Sequence, residues 1–226
     1  MRAVANWLCV IGAAALFATG TAMAQIPPSA SDVAAYGALL KAAHGNDVDA
    51  LERALAAGEK VDAADAAGRT AVHIAAHASA YDALRALAAK GANMRSLDNQ
   101  RYDAITIAAV NDDVKMVKLA VELGGDPKAI TSPYDGTALI AAAHLGHDQV
   151  VKALIEAGAP LDHVNNLGWT ALIEAVVLGD GGARHQQTVR ELVAAGADKS
   201  IADRAGHTPL DLATARGYRE IMAMLK

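Results

Sequence analysis

Five glycines, Gly58, Gly91, Gly124, Gly158 and Gly196, recur at steps of 33, 33, 34 and 38 residues. A period of this size constrains a chain more than its composition does. Each period must be one supersecondary unit, and such a unit buries its apolar face only against copies of itself. Every glycine follows an apolar stretch of helical spacing: Leu51 to Leu55, Leu84 to Leu87, Val117 to Val121, Val151 to Ile155, and Val189 to Val193. A glycine just beyond a helix is the residue expected at a left-handed C-terminal cap. The starts of the units repeat too. Thr70, Thr137, Thr170 and Thr208 precede Ala71, Ala138, Ala171 and Pro209, and Asp103 holds the same place before Ala104. Side-chain oxygens of Thr and Asp accept hydrogen bonds from free amides in a first helical turn. Proline at the next position loses no hydrogen bond there. Each unit therefore reads as cap, short helix, tight turn, second helix, glycine and a polar link.

The residues that fill this frame are Thr208-Pro209-Leu210, Ala142-Ala143-His144-Leu145-Gly146-His147, Val150-Val151-Lys152-Ala153-Leu154 and Ala157-Gly158-Ala159. In them the chain resembles the ankyrin-repeat family. The resemblance implies an all-α solenoid of about six helix-turn-helix units joined by hairpin-like links, over residues 32–226. Departures from the plain repeat are expected at four places. Ser31-Asp32 is expected to cap a longer first helix running through Lys41–Ala43. The fourth unit shortens its turn to Tyr134-Asp135-Gly136-Thr137. The fifth gains five residues between its helices, within 179–185. The sixth reaches Leu225-Lys226 at the end of its second helix, so Met222 and Met224 are expected to be partly exposed. The paired alanines Ala42-Ala43, Ala75-Ala76, Ala108-Ala109 and Ala142-Ala143 are expected at a close-packed seam, where larger side chains overpack.

Composition agrees with helices at close range. Hydrophobic residues make up 53% of the chain but aromatics only 4%, so much of the apolar surplus is alanine. The first 24 residues read as a leader: Arg2, then an uncharged apolar run from Ala3 to Phe17, then Ala22-Met23-Ala24 as a small-residue cleavage site. Residues 25–31, with Pro27-Pro28, read as a linker. A retained membrane anchor is the competing reading of the leader, and Asn6-Trp7-Leu8 lacks the small residues a lipid-anchoring motif places before a cysteine. Cleavage removes the one Cys and the one Phe and leaves Trp169 as the one Trp. It also removes Arg2, so the charge becomes one unit more negative than the −5 of the full chain. With no basic stripe, nucleic acid is not an expected partner, and no membrane contact is expected after cleavage. A monomer in the periplasm or secreted is the expected state.

No residue pattern carries a catalytic, metal or cofactor signature. His73 and His77 share a helix face, but Ile74 stands where a zinc protease needs Glu. The resemblance implies that His73 braces the backbone of neighbouring units and that His147, after Gly146, is a structural residue at another ordinary repeat position. His44, His77 and His144 hold one equivalent position, which the family turns to its concave face. Layers about 10 Å apart keep these histidines from closing a tight tetrahedral site. They read as a solvated stripe or as a pH-sensing contact row. The insert 179–185, with Asp180, Arg184 and His185, reads as a mobile surface loop or as a binding element, and it lacks the Lys-Ser/Thr ending of a phosphate loop. The scattered serines match no nucleophile elbow.

The expected function is therefore non-catalytic binding of a protein partner. The family grips partners with the concave helix face and the link tips. Carried onto this chain, the tips are Arg69, Tyr102, Trp169 and His207, with Tyr134 nearby. The concave positions include His77, Asn111, His144, Leu145, Leu178 and Arg216, and the insert adds Asp180 and Arg184. Tyr102 and Tyr134 read equally well as cover for the core. Trp169 reads either as an interface anchor or as a lid over its own link. Two narrower readings stand beside a general scaffold: an inhibitor or immunity protein acting on a periplasmic enzyme, and a stress-protective accessory in peroxide defence, which the resemblance to small exported ankyrin proteins implies.

Overall fold

Thirteen α-helices run through residues 25–226, the part of the chain that the computed structural model describes. The leader expected at residues 1–24 lies outside the described residues. A short helix α1 (Ala30–Ala35) precedes six helix pairs. The first helices of the pairs are α2 (Ala38–His44), α4 (Ala71–His77), α6 (Ala104–Val110), α8 (Ala138–Leu145), α10 (Ala171–Val177) and α12 (Pro209–Arg216). The second helices are α3 (Val48–Ala56), α5 (Tyr81–Ala89), α7 (Val114–Glu122), α9 (Asp148–Glu156), α11 (Ala183–Ala194) and α13 (Arg219–Leu225). Each first helix packs on the next first helix and each second helix on the next second helix. The result is a two-layer, all-α solenoid of six units. Helices this short are marginal alone, so the stacking stabilises them.

The caps explain the boundaries. Thr137, Thr170 and Thr208 each accept a hydrogen bond from the amide three residues on, and Asp103 accepts one from the Thr106 amide at 2.7 Å. At the far ends, Gly58, Gly91, Gly124, Gly158 and Gly196 all have φ between 82° and 102°. After α3 the Gly58 amide donates to Leu55 O and the Glu59 amide to Ala54 O, which closes the open carbonyls of the last turn. The seam alanines Ala43, Ala75, Ala76, Ala108, Ala109, Ala142 and Ala143 are 0% exposed. With no side chain beyond Cβ at these positions, the first helices can approach closely.

Two histidines brace units together. His73 Nδ1 lies 3.0 Å from the Thr70 amide, which donates to it. Its Nε2 lies 3.0 Å from Ser96 O and 3.1 Å from Tyr102 O, both in the next link. The ring is therefore the neutral Nε2–H tautomer, and burial holds its pKa below the ordinary value. His147 Nδ1 reaches back 2.9 Å to Ala109 O of the preceding unit. Outer-layer ion pairs also join units, as in Lys90–Glu52 at 3.1 Å, but at half exposure they contribute little.

The N-terminal end differs from the sequence expectation. No single long helix starts at Ser31. Ser29 caps α1 in a capping box with Asp32, the chain turns extended at Tyr36, and Gly37 starts α2. Glycine brings no capping oxygen and weakens a continuous helix. The Glu59 carboxylate caps α2 from the next link instead, accepting from the Leu39 amide at 3.2 Å. Met222 and Met224 are half-buried, as expected. None of the helices in the described residues is long and apolar enough to cross a membrane.

Candidate partner-binding surface

The links are built alike. Asp65, Asp98, Asn165 and Asp203 each turn a side-chain oxygen onto the amides two and four residues on. The same four residues donate their own amide to the carbonyl four residues on, at Arg69, Tyr102, Trp169 and His207. Asx turns of this kind hold a loop without strand pairing, and only two isolated bridges, Ala64–Thr70 and Thr131–Gly136, occur among the described residues. Unit four lacks the Asx residue. There Ser132 Oγ accepts from the Tyr134 and Gly136 amides, both at 3.3 Å. The Asn99, Ser132 and Asn166 amides donate to Ala67, Arg101 and Tyr134 carbonyls of the link before. The links thus form one continuous edge along the solenoid.

This edge sorts the expected tip residues by burial. Arg69 is 5% exposed. Its Nε and an Nη donate to Asp65 at 2.7 Å, and the guanidinium reaches Asp32 of α1 at 3.1 Å. It clamps α1 to the second link and is withdrawn from the surface a partner would meet. Ser29 and then Arg69 hold the Asp32 carboxyl below its ordinary pKa. Tyr102 is also 5% exposed and belongs to the core cluster, so of its two readings the structure gives core cover. Tyr134, Trp169 and His207 are half-buried. His207 Nδ1 lies 3.5 Å from Asp203.

The same edge carries residues that tip-by-tip reading missed. Leu97, Ile130 and Val164 are 44%, 47% and 45% exposed, and they lie one repeat apart in three successive links. Large apolar side chains exposed singly are ordinary. Three of them in register make a row. The signal was present in the sequence as an apolar residue inside a polar link at steps of 33 and 34.

The first-helix face gathers the other expected residues. Asn111 ends α6 and Arg216 ends α12, both exposed; Leu145 is 38% exposed at the end of α8, and Leu178 caps α10 half-buried. The histidine row is not uniform. His44 is exposed on α2. His77 is half-buried, its Nε2 has no partner, and burial, with Arg69 and His73 nearby, pushes its pKa down to about 4. His144 turns Nδ1 onto Glu174 Oε2 at 3.0 Å. Glu174 is 1% exposed and accepts from Asn165 Nδ2 at 2.9 Å through Oε1. Sequence reading passed over Glu174, although a carboxylate stands there in register with Ile74, Ile107 and Leu212. No group of three or more His, Cys, Asp or Glu in the described residues is arranged to hold a metal ion.

The insert is pinned rather than loose. Arg184 spans two units, reaching Asp112 at 2.8 Å and Asp148 at 3.1 Å. His185 Nδ1 meets Asp180 at 2.8 Å and its Nε2 meets His144 O at 3.0 Å. The ring lies over Gly146, where any Cβ would stand 2.9 Å from it. From unit six, Tyr218 Oη donates to Gly179 O at 3.0 Å. The insert therefore ties units three to six and brings Asp180, Arg184 and His144 to one place.

A solenoid of paired helices with a continuous link edge is the architecture of repeat proteins that present an extended binding surface. Comparison with known sequences gives the class its name. The family model described as ankyrin repeats (3 copies) matches residues 39–131 and again 105–203, and the chain belongs to the ankyrin-repeat family. A crystallised ankyrin repeat domain from Acinetobacter baumannii AYE is 41% identical with a TM-score of 0.77, over 83% of this chain and 95% of that one. The ankyrin repeat protein EF0377 is 34% identical with a TM-score of 0.77, over 84% and 96%. A chain from the Bdellovibrio bacteriovorus predatory endopeptidase Bd0816 in complex with immunity protein Bd3460 shares the fold at 22% identity and a TM-score of 0.71, over 84% and 97%. Among curated proteins, putative ankyrin repeat protein YahD of Escherichia coli is 40% identical over 93 residues. That match covers 41% of this chain and 46%, about half, of the relative.

Proposed function

We propose that this chain is exported, loses residues 1–24, and acts in the periplasm or outside the cell as a non-catalytic module that binds another protein. Residues 25–29 then lead into the binding domain, which begins at α1 (Ala30–Ala35) rather than at residue 32. The observation that carries the reading is the row Leu97, Ile130 and Val164, exposed in register along the links. Large apolar side chains exposed at one repeat position in successive links, among polar residues, are what an interaction surface offers. Trp169, half-buried at the tip of unit five, supplies an anchor of the type that dominates interface energies. Asn111, His144, Leu178, Asp180, Arg184 and Arg216 extend the surface across the first helices and the insert.

The test is capture from periplasmic extract with the mature chain and with a Leu97→Ser/Ile130→Ser/Val164→Ser variant of equal helicity. The reading expects a partner recovered by the first and lost by the second. Equal recovery by both removes the link edge from the interface. One tight partner at equal stoichiometry marks an inhibitor or immunity protein, and several weak ones mark a general scaffold. N-terminal sequencing of exported material is expected to start at Gln25; an intact Met1 in the membrane fraction refutes cleavage.

A further inference from the structure

Among the described residues α1 is the one helix outside the paired stack, and none of its residues is buried. A capping box of Ser29 and Asp32 holds its first turn, but six residues are too few to sustain a helix alone. Its one ion pair in the described residues fastens it. The Asp32 side chain, 43% exposed, meets the buried guanidinium of Arg69 at 3.1 Å. Tyr36, the next residue after the helix, packs half-buried against the core, yet its Oη is shut from solvent with no hydrogen-bond partner. An unpaired buried hydroxyl is a cost that this closed arrangement carries.

α1 also leaves much of its seat unfilled. A groove of about 760 Å³ runs between it and the link edge, with Asp32 and Tyr36 on one side and Arg69 and Asn99 of the second and third links on the other. Exposed Ile26, Ala64 and Ala66 also line the groove, so it is open to solvent. Through Asp98 it adjoins Leu97, the first residue of the apolar row. The joint between α1 and α2 is the extended pair Tyr36–Gly37. Gly37 has φ −63°, which suits any residue, and a Cβ there would meet Glu59 at an ordinary 3.6 Å. Neither space nor the closed backbone demands glycine, and freedom to swing is what glycine adds at a joint.

We infer that α1 is a strap that shuts Arg69 and the adjoining links in the free protein, and that a carboxylate of the protein partner displaces it by taking the place of Asp32 on Arg69. The inference rests on the partner-binding reading above and adds a controlled entry to that surface. With Asp32 withdrawn, the guanidinium keeps Asp65 at 2.7 Å and presents the side where Asp32 stood. Exchange of one carboxylate for another leaves the charge around Arg69 unchanged, and a guanidinium fork is matched to a carboxylate. Arg69 then becomes the tip contact expected of its repeat position, and its burial belongs to the closed state. Partner affinity is lowered by the fraction of molecules held shut.

The test uses the whole mature chain, and its first arm needs no partner. Hydrogen exchange is expected to show the α1 amides opening well before those of α2 and α4. Phenylglyoxal, which modifies accessible guanidinium groups, is expected to reach Arg69 at least about 10-fold faster in Asp32→Ala, with α2 and α4 exchanging as before. Modification of Arg69 that is no faster in Asp32→Ala, or that waits for α2 and α4 to open, overturns the strap. The second arm compares two variants that break the same ion pair, each shown to be folded by its α4 exchange. Asp32→Ala is expected to bind the captured partner at least about 10-fold more tightly, because the seat stands open. Arg69→Gln opens the seat too, but is expected to bind at least about 10-fold more weakly than Asp32→Ala, because the guanidinium is gone. Equal affinities of the two variants overturn the carboxylate contact. Affinity in Asp32→Ala at or below that of the native chain overturns the strap. Capture of no partner at all counts against the partner-binding reading, while the phenylglyoxal arm still decides the strap.

Discussion

Ala143→Leu and Ala141→Leu put the same side chain two residues apart on one helix, so helix propensity cancels between them. Ala143 is 0% exposed at the seam where α8 packs against α6 and α10. Three added carbons have no void to enter there, and overpacking of a dense core costs about 1–3 kcal/mol. Ala141 is 8% exposed and lines a small cavity beside Glu174. A leucine there restores the aliphatic side chain that Ile74, Ile107 and Leu212 carry at this position, with part of it reaching the cavity and solvent, so its net cost is expected below that of Ala143→Leu. At about 2–4 °C per kcal/mol for a chain of this length, Ala143→Leu lowers the melting temperature by roughly 2–12 °C. Urea titrations and thermal melts of both variants measure the difference. Equal destabilisation of the two, or an unperturbed Ala143→Leu, refutes the assignment of one site to a dense seam and the other to a cavity.

Trp169→Ala is expected to cost at least about 2 kcal/mol of partner affinity while the fold survives; calorimetric titration beside thermal melts measures both, and a loss of stability as large as the loss of affinity makes Trp169 a lid over its own link. Stability should fall with acid. His77 has its pKa depressed to about 4 by burial, so its contribution is complete above the unfolded value of about 6.5 and is lost as pH falls toward 4. The loss amounts to at most about 3 kcal/mol across that window. His77→Val, matching Val110 and Val177 in register, is expected to flatten the slope, with His73 supplying the remainder. An unchanged slope contradicts the buried neutral state of His77.

The unit length, the caps and the seam were legible because each is a local rule repeated in register. Thr137 and Thr170 announce a cap, Gly124 and Gly158 a C-terminus, and paired alanines a close approach. The tips were legible only as positions. Nothing in the string separates Arg69 from Trp169, yet Asp32 from α1 pairs with the first and leaves it buried. The insert read as loose because glycine suggests mobility; Arg184 is tied instead to Asp112, 72 residues away. α1 was misjudged at Gly37, where the capping carboxylate comes from Glu59 in another unit. Glu174 escaped notice since one acidic residue in an apolar helix has no meaning until its surroundings are known. Leu97, Ile130 and Val164 were visible at the repeat spacing, but their exposure follows from how the links lie side by side.

The central claim is that the link edge and the first-helix face, not the outer helices, hold a protein partner. Hydrogen exchange of the mature chain, alone and saturated with the captured partner, tests it most directly. New protection is expected in the link amides around Leu97, Ile130, Val164 and Trp169, with α5, α7 and α9 unchanged. Protection concentrated on α5, α7 and α9, with the links exchanging as in the free chain, contradicts the account.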